Sequence, residues 1–175
     1  MVALLQTLLD IIRLRKGPDA IPYSWILCLL TLTLWLFSGL SMMLLSEGLD
    51  DQDFLVGTFT GVVALAFYAS IVVATNRTPR LLQTATAILG CGALLTFIVV
   101  ACNAFLAPFL SDNLVRVIVT LVLLWSIPVE GHILAQAIDR PRLVGIIVAM
   151  AVFIFQLYLY SVLNPATTVI ADTTT

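Results

Sequence analysis

Charge is what this chain has least of. Only 10% of its 175 residues are charged and one is a histidine, while 61% are apolar and the mean hydropathy is +1.12. A water-soluble domain carries about 25% charged residues to cover its surface. Eight Lys/Arg and ten Asp/Glu cannot do so here, and lipid is the solvent that remains. A formal net charge of −2 supplies no basic footprint, which excludes a nucleic-acid partner. Cysteine is scarce as well: Cys28, Cys91 and Cys102 show neither CxxC nor CxxH spacing, so neither a zinc site nor a disulfide framework is expected. Cys91 and Cys102 share a helical face but stand roughly 16 Å apart along it, too far for a disulfide. Phosphate loop, nucleophile elbow, HExxH and dinucleotide fingerprint are all missing, so no cofactor, no metal and no enzymatic activity is expected.

What the chain does have is long uncharged runs. Crossing about 30 Å of hydrocarbon takes roughly 20 helical residues. Five runs qualify: Tyr23 to Leu45, Phe54 to Thr75, Leu81 to Leu106, Leu114 to Ile138 and Leu143 to Leu163. They are about twice the length of a barrel strand and do not alternate, which excludes a β-barrel. The expected fold is all-α, a polytopic membrane helical bundle with five transmembrane helices over residues 18–165. Seven of the eight basic residues, Arg13, Arg15, Lys16, Arg77, Arg80, Arg140 and Arg142, fall on one side of such a bundle, leaving Arg116 near the other. Cytoplasmic loops retain Lys and Arg, so the N-terminus is expected inside and the C-terminus outside, with Glu47 to Asp53 on the far side. Tyr23, Trp25, Tyr158 and Tyr160 suit interfacial aromatic belts.

Residues 1–17 are too short to span. Wound as a helix they place Val2, Leu5, Leu8, Leu9 and Ile12 on one side and Gln6, Asp10 and Arg13 on the other. The expected arrangement is an amphipathic helix along the cytoplasmic interface, with Arg13, Arg15 and Lys16 near lipid headgroups. The alternative is a short helix packed against the bundle. Residues 166–175, rich in threonine, read as a flexible non-cytoplasmic tail.

An offset of 62 residues brings Pro79-Arg80-Leu81 onto Pro141-Arg142-Leu143 and Ile71 onto Ile133. Either two like-sensed helical hairpins repeat, or any cytoplasmic hairpin favours Pro and Arg at its turn. Five spans, short loops, the segment Thr78 to Thr84 opening the third span, and Trp125 through Gly131-His132-Ile133-Leu134 in the fourth resemble the small bacterial relatives of the Ypt-interacting (Rab-GTPase-interacting) membrane family. That resemblance implies a bacterial cytoplasmic (inner) membrane location and, from the eukaryotic members, membrane organisation through oligomeric contacts. The long cytoplasmic N-terminal region of those members is missing, so GTPase binding is not carried over.

Ionisable residues inside a span are by default functional candidates. Here they are Glu130 and His132, just after Pro128, with Glu130 roughly 15 Å from the cytoplasmic edge. Their spacing sets them about 200° apart on a regular helix; Pro128 could loosen this by freeing the Leu124 carbonyl and breaking the turn. The same 62-residue offset aligns Tyr68 with Glu130 and Ser70 with His132. One reading makes Glu130 a proton or ion site with His132 as relay. The other makes it a neutral carboxyl donating to Tyr68 or to a backbone carbonyl, with Gly131 allowing close helix approach. Gly90, Gly92, Gly57 and Gly61 offer further small surfaces. The function expected first is a non-enzymatic scaffold, assembly factor or membrane organiser, with the lipid bilayer and other membrane proteins or copies of itself as partners. The alternative is a small ion- or solute-conducting protein using Glu130 and His132. A water-filled, polar-lined path reaching Glu130 from either face would favour the second, and dry close packing the first.

Overall fold

The computed structural model describes residues 2–45, 51–106 and 109–164. Residues 46–50 of the acidic loop and the threonine-rich tail lie outside them. The described chain is all helical: α1 (Val2–Ile12), α2 (Trp25–Leu45), α3 (Asp51–Ala74), α4 (Leu81–Leu106), α5 (Asp112–Ala137) and α6 (Arg142–Leu163). The last five are long and apolar enough to cross a membrane. Their bounds fall within three residues of those read from sequence, because Pro, Gly and charge close each apolar run. Hydroxyls inside the spans bond back to their own helix, as Thr31 does to the Cys28 carbonyl and Ser38 to that of Trp35. In hydrocarbon no water would satisfy them.

α4 is the centre. α2 packs along it, α5 packs on its other side, α6 packs on α5, and α3 closes the ring against α6 with lighter contacts to α2 and α4. The turns after α3 and α5 have the same chemistry. Asn76 (φ 57°) and Asp139 (φ 52°) adopt the left-handed conformation. In each case the next amide bonds back five residues, Arg77 to Val72 and Arg140 to Ala135, and the left-handed residue's own amide bonds back three. This is the Schellman ending, which satisfies the last helix carbonyls. α1 ends the same way at Leu14 (φ 59°).

The turns repeat but the packing does not. At the α5–α6 crossing a methyl group on Gly131 would lie 2.6 Å from the Ile146 Cα, and one on Gly145 would overlap the Gly131 carbonyl oxygen. These backbones touch. The 62-residue offset puts Ala69 and Gln83 at the equivalent positions of the first hairpin. No glycine pair lies there, and Gln83 is directed to the Ile21 carbonyl at 2.6 Å.

One network joins the two turns. Asp139 pairs with Arg77 at 2.8 Å and with Arg80 at 2.7 Å, and Arg80 also donates to the Gln136 carbonyl at 2.9 Å. The Arg80 hydrogen bond holds the Asp139 carboxyl below its ordinary value of 3.8, aided by the charges of Arg77 and Arg80. A depressed carboxylate contributes stability above its unfolded-state value and loses it as pH falls through the folded one. Thermal stability is therefore expected to be flat above about pH 5 and to decline below about pH 4. Asp139→Asn should shrink that decline; an unchanged pH profile by differential scanning fluorimetry would show that the network contributes nothing.

The N-terminal helix packs against the bundle. Leu8, Ile11 and Ile12 are buried together with Ala87, Cys91, Val129 and Ile133 of α4 and α5, whereas Leu5 is 47% exposed. Its inward face is thus turned from the one expected, since Ile11 points in and Leu5 out. Gly90 explains the seat: a methyl there would stand 2.9 Å from both δ-carbons of Leu8. Hydrogen bonds from the bundle fix the strap that follows, from Trp125 Nε1 to the Ile12 carbonyl (3.2 Å) and from Gln83 to Ile21. Arg13, Arg15 and Lys16 are exposed, and Lys16 pairs with Asp10 at 2.9 Å.

Candidate functional site

Inside the ring of α2 to α6 lies a chamber of about 500 Å³. Every span contributes a wall: Trp35 to Met43 from α2, Asp53 to Tyr68 from α3, Ile88 to Val99 from α4, Val122 to Glu130 from α5, and Phe153 to Tyr160 from α6. Gly57 adds no side chain to the space, and a methyl there would meet nothing within 4 Å, while Gly61 and Gly92 accommodate the indole of Trp35. From Asp53 to Tyr68 is fifteen residues of α3, so the chamber runs roughly 22 Å along the bundle axis.

Its deep end is Glu130. The Tyr68 hydroxyl, buried on α3, donates to Glu130 Oε2 at 2.7 Å and so joins the two hairpins at the depth that the 62-residue offset gives. Below this pair Val72, Leu134, Ala137 and Ile138 are buried against one another and close the bundle towards the basic turns. The other end is also polar. Asp53 accepts hydrogen bonds from the Tyr160 hydroxyl (2.5 Å) and from the Asn164 amide, tying the start of α3 to the end of α6. A carboxylate in the first turn of a helix is also favoured by the helix dipole. Between the ends Gln156 reaches the Thr60 carbonyl at 3.4 Å.

The remaining sequence candidates sit elsewhere. His132 is buried on the opposite side of α5, its Nε2 3.1 Å from the Lys16 carbonyl, and its Nδ1 has no protein partner. The structure therefore does not bring it to Glu130, as the 200° separation on a regular helix requires, and a Glu130–His132 relay has no geometric basis. α5 runs through Pro128 without interruption, so the expected break does not rescue that pairing. Ser70 is exposed and bonds to the Phe67 carbonyl of its own helix at 2.7 Å. All three cysteines are free, with Cys91 buried beneath the Leu8 carbonyl. Among the described residues no three His, Cys, Asp or Glu side chains gather as a metal site would need.

Sequence reasoning missed the far end of the chamber and its aromatic wall. A signal was present: Gln156, Tyr160 and Asn164 recur every four residues, a polar stripe on a helix otherwise suited to lipid. Fold and site together define a class, a helical membrane bundle enclosing a chamber floored by a carboxyl group. No family model, no curated protein and no solved structure matches the chain.

Proposed function

We propose that this is a non-enzymatic membrane protein that admits a small solute to the chamber from the Asp53 end, with Glu130 as the group that exchanges a proton or ion. One observation carries this reading: the five spans do not close-pack around Glu130 but leave about 500 Å³ in front of it. Pockets of this size hold drug-sized molecules. Action as a scaffold, assembly factor or membrane organiser has less support. Most of the small-residue surfaces that membrane helices use to associate are occupied within the chain, Gly61 and Gly92 by Trp35, Gly90 by Leu8, and Gly131 and Gly145 by each other, while Gly57 faces the chamber. The resemblance in span number and in residues 78–84 and 125–134 supports placing the chain with the bacterial relatives of the Ypt-interacting proteins. The distribution of basic residues supports a cytoplasmic N-terminus, and the resemblance supports a bacterial inner membrane.

One labelling experiment tests solute access and orientation together. In a background lacking Cys28, Cys91 and Cys102, single cysteines at positions 51, 78 and 126 are exposed in spheroplasts to a membrane-impermeant thiol reagent. Positions 51 and 126 are expected to react and position 78 is not. An unreactive Ser126→Cys in a folded protein would show a sealed chamber and return the contact-based reading; labelling at 78 instead of 51 would invert the orientation.

A further inference from the structure

The residues around the chamber have one sign of charge. Among the described residues that line it are two carboxyl groups, Asp53 and Glu130, and no lysine, arginine or histidine. The rest of the lining is largely apolar and includes the rings of Trp35, Phe54, Tyr68, Phe153 and Tyr160. An anion brought here would lose its hydration and find no cation, whereas a positive centre would meet carboxylate oxygens and the negative faces of aromatic rings. Size adds a further restriction, since a chamber of about 500 Å³ far exceeds what a bare metal ion fills.

We propose, building on the solute-binding reading above, that the chamber takes an amphipathic organic cation, a drug-sized molecule with an apolar body and one positive centre, in exchange for the proton of Glu130. The Glu130 O–H bond breaks, the proton leaves to water on the side from which the ligand entered, and the carboxylate pairs with the cation. Nothing is oxidised or reduced, and the net charge in the hydrocarbon is the same before and after. That equality makes the exchange feasible, because either a lone carboxylate or a lone cation at this depth would be costly. The Tyr68 hydroxyl, already bonded to Oε2, positions the carboxyl and can donate to it in both states. Of the other groups, the Cys91 thiol of α4 lies within electrostatic reach of Glu130, α2 and α6 contribute Trp35, Phe153 and Gln156 to the chamber wall, and Asp53 with Tyr160 lies at the far end.

The test compares two ions of matched size and opposite charge, tetraphenylphosphonium and tetraphenylborate, on the full chain in nanodiscs. Binding is counted above partition into protein-free discs, and proton release is read by calorimetry in buffers of different ionisation enthalpy. The phosphonium is expected to bind and release about one proton, its affinity rising about tenfold per pH unit while Glu130 is protonated. The borate is expected not to bind. Glu130→Gln, checked by circular dichroism and gel filtration, should bind the phosphonium at least about tenfold more weakly and release no proton. Equal binding of both ions, phosphonium binding without proton release, or loss of exchange in Asp53→Asn with Glu130→Gln unaffected would each overturn the proposal. Should Glu130→Gln fail to fold, the two-ion comparison on the wild type still decides. A reactive Ser126→Cys with no phosphonium binding would refute the ligand class and leave the solute-binding reading standing; an unreactive Ser126→Cys would remove both.

Discussion

Gly145→Ala is expected to disrupt the α5–α6 hairpin, although alanine is the better helix former by about 1 kcal/mol. The added methyl would overlap the Gly131 carbonyl oxygen and stand 2.8 Å from the Ala135 Cβ. A backbone oxygen cannot rotate aside as a flexible side chain can, so the helices must part. Overpacking of this kind costs about 1–3 kcal/mol, and contact with backbone places it at the upper end. Separation would also disturb Glu130, which immediately precedes Gly131. Gly57→Ala is the control, since a methyl there meets nothing within 4 Å and should leave stability unchanged or slightly raised. Thermal unfolding in detergent measures both. Equal melting temperatures for Gly145→Ala and Gly57→Ala would mean that the close crossing is not a stability determinant.

Ile11→Ala is expected to weaken the protein and Leu5→Ala to leave it unchanged, because Ile11 is fully buried and Leu5 is 47% exposed. Truncating a buried isoleucine costs about 2–5 kcal/mol in a water-soluble core. An α1 released into lipid would keep part of the transfer energy, so the loss here is nearer the lower bound, about 2 kcal/mol. An α1 lying along the membrane surface on the face read from sequence would give the opposite order, with Leu5 the sensitive position. Limited proteolysis after residue 13 or 15 reports the same event, because Arg13 and Arg15 are already exposed and undocking frees the backbone around them to enter the trypsin active site. Unchanged cleavage and unfolding in Ile11→Ala would sink the docked arrangement.

How far the sequence could be read depends on the range of the interaction in question. Span bounds were legible because each is set locally, by residues such as Pro79, Asp139 and Pro141 beside an apolar run of fixed length. The Tyr68–Glu130 contact was legible for a different reason: two hairpins of the same chemistry put equivalent positions at equal depth, and a carboxyl group in hydrocarbon must find a partner. The inward face of α1 was not legible. Leu5, Leu8, Ile11 and Ile12 are all apolar, and which of them turns inward depends on where Gly90 leaves room on another helix. Nor was the fate of His132, whose partner is the carbonyl of Lys16, a backbone group with no side-chain signature.

The sequence by itself determined that this is an all-helical membrane bundle of five spans, since length and hydropathy act residue by residue against the solvent. Only the tertiary structure decided that α5 and α6 touch while α3 stands off, and hence that a chamber opens in front of Glu130. In lipid nearly every outward residue is apolar, so hydrophobicity carries no information about which face meets which helix. That choice falls to shape: Gly131 against Gly145 in one hairpin, a pair the other hairpin lacks, and Trp35 seated against Gly61 and Gly92. Complementarity of this kind belongs to pairs of surfaces and is not written in either surface alone.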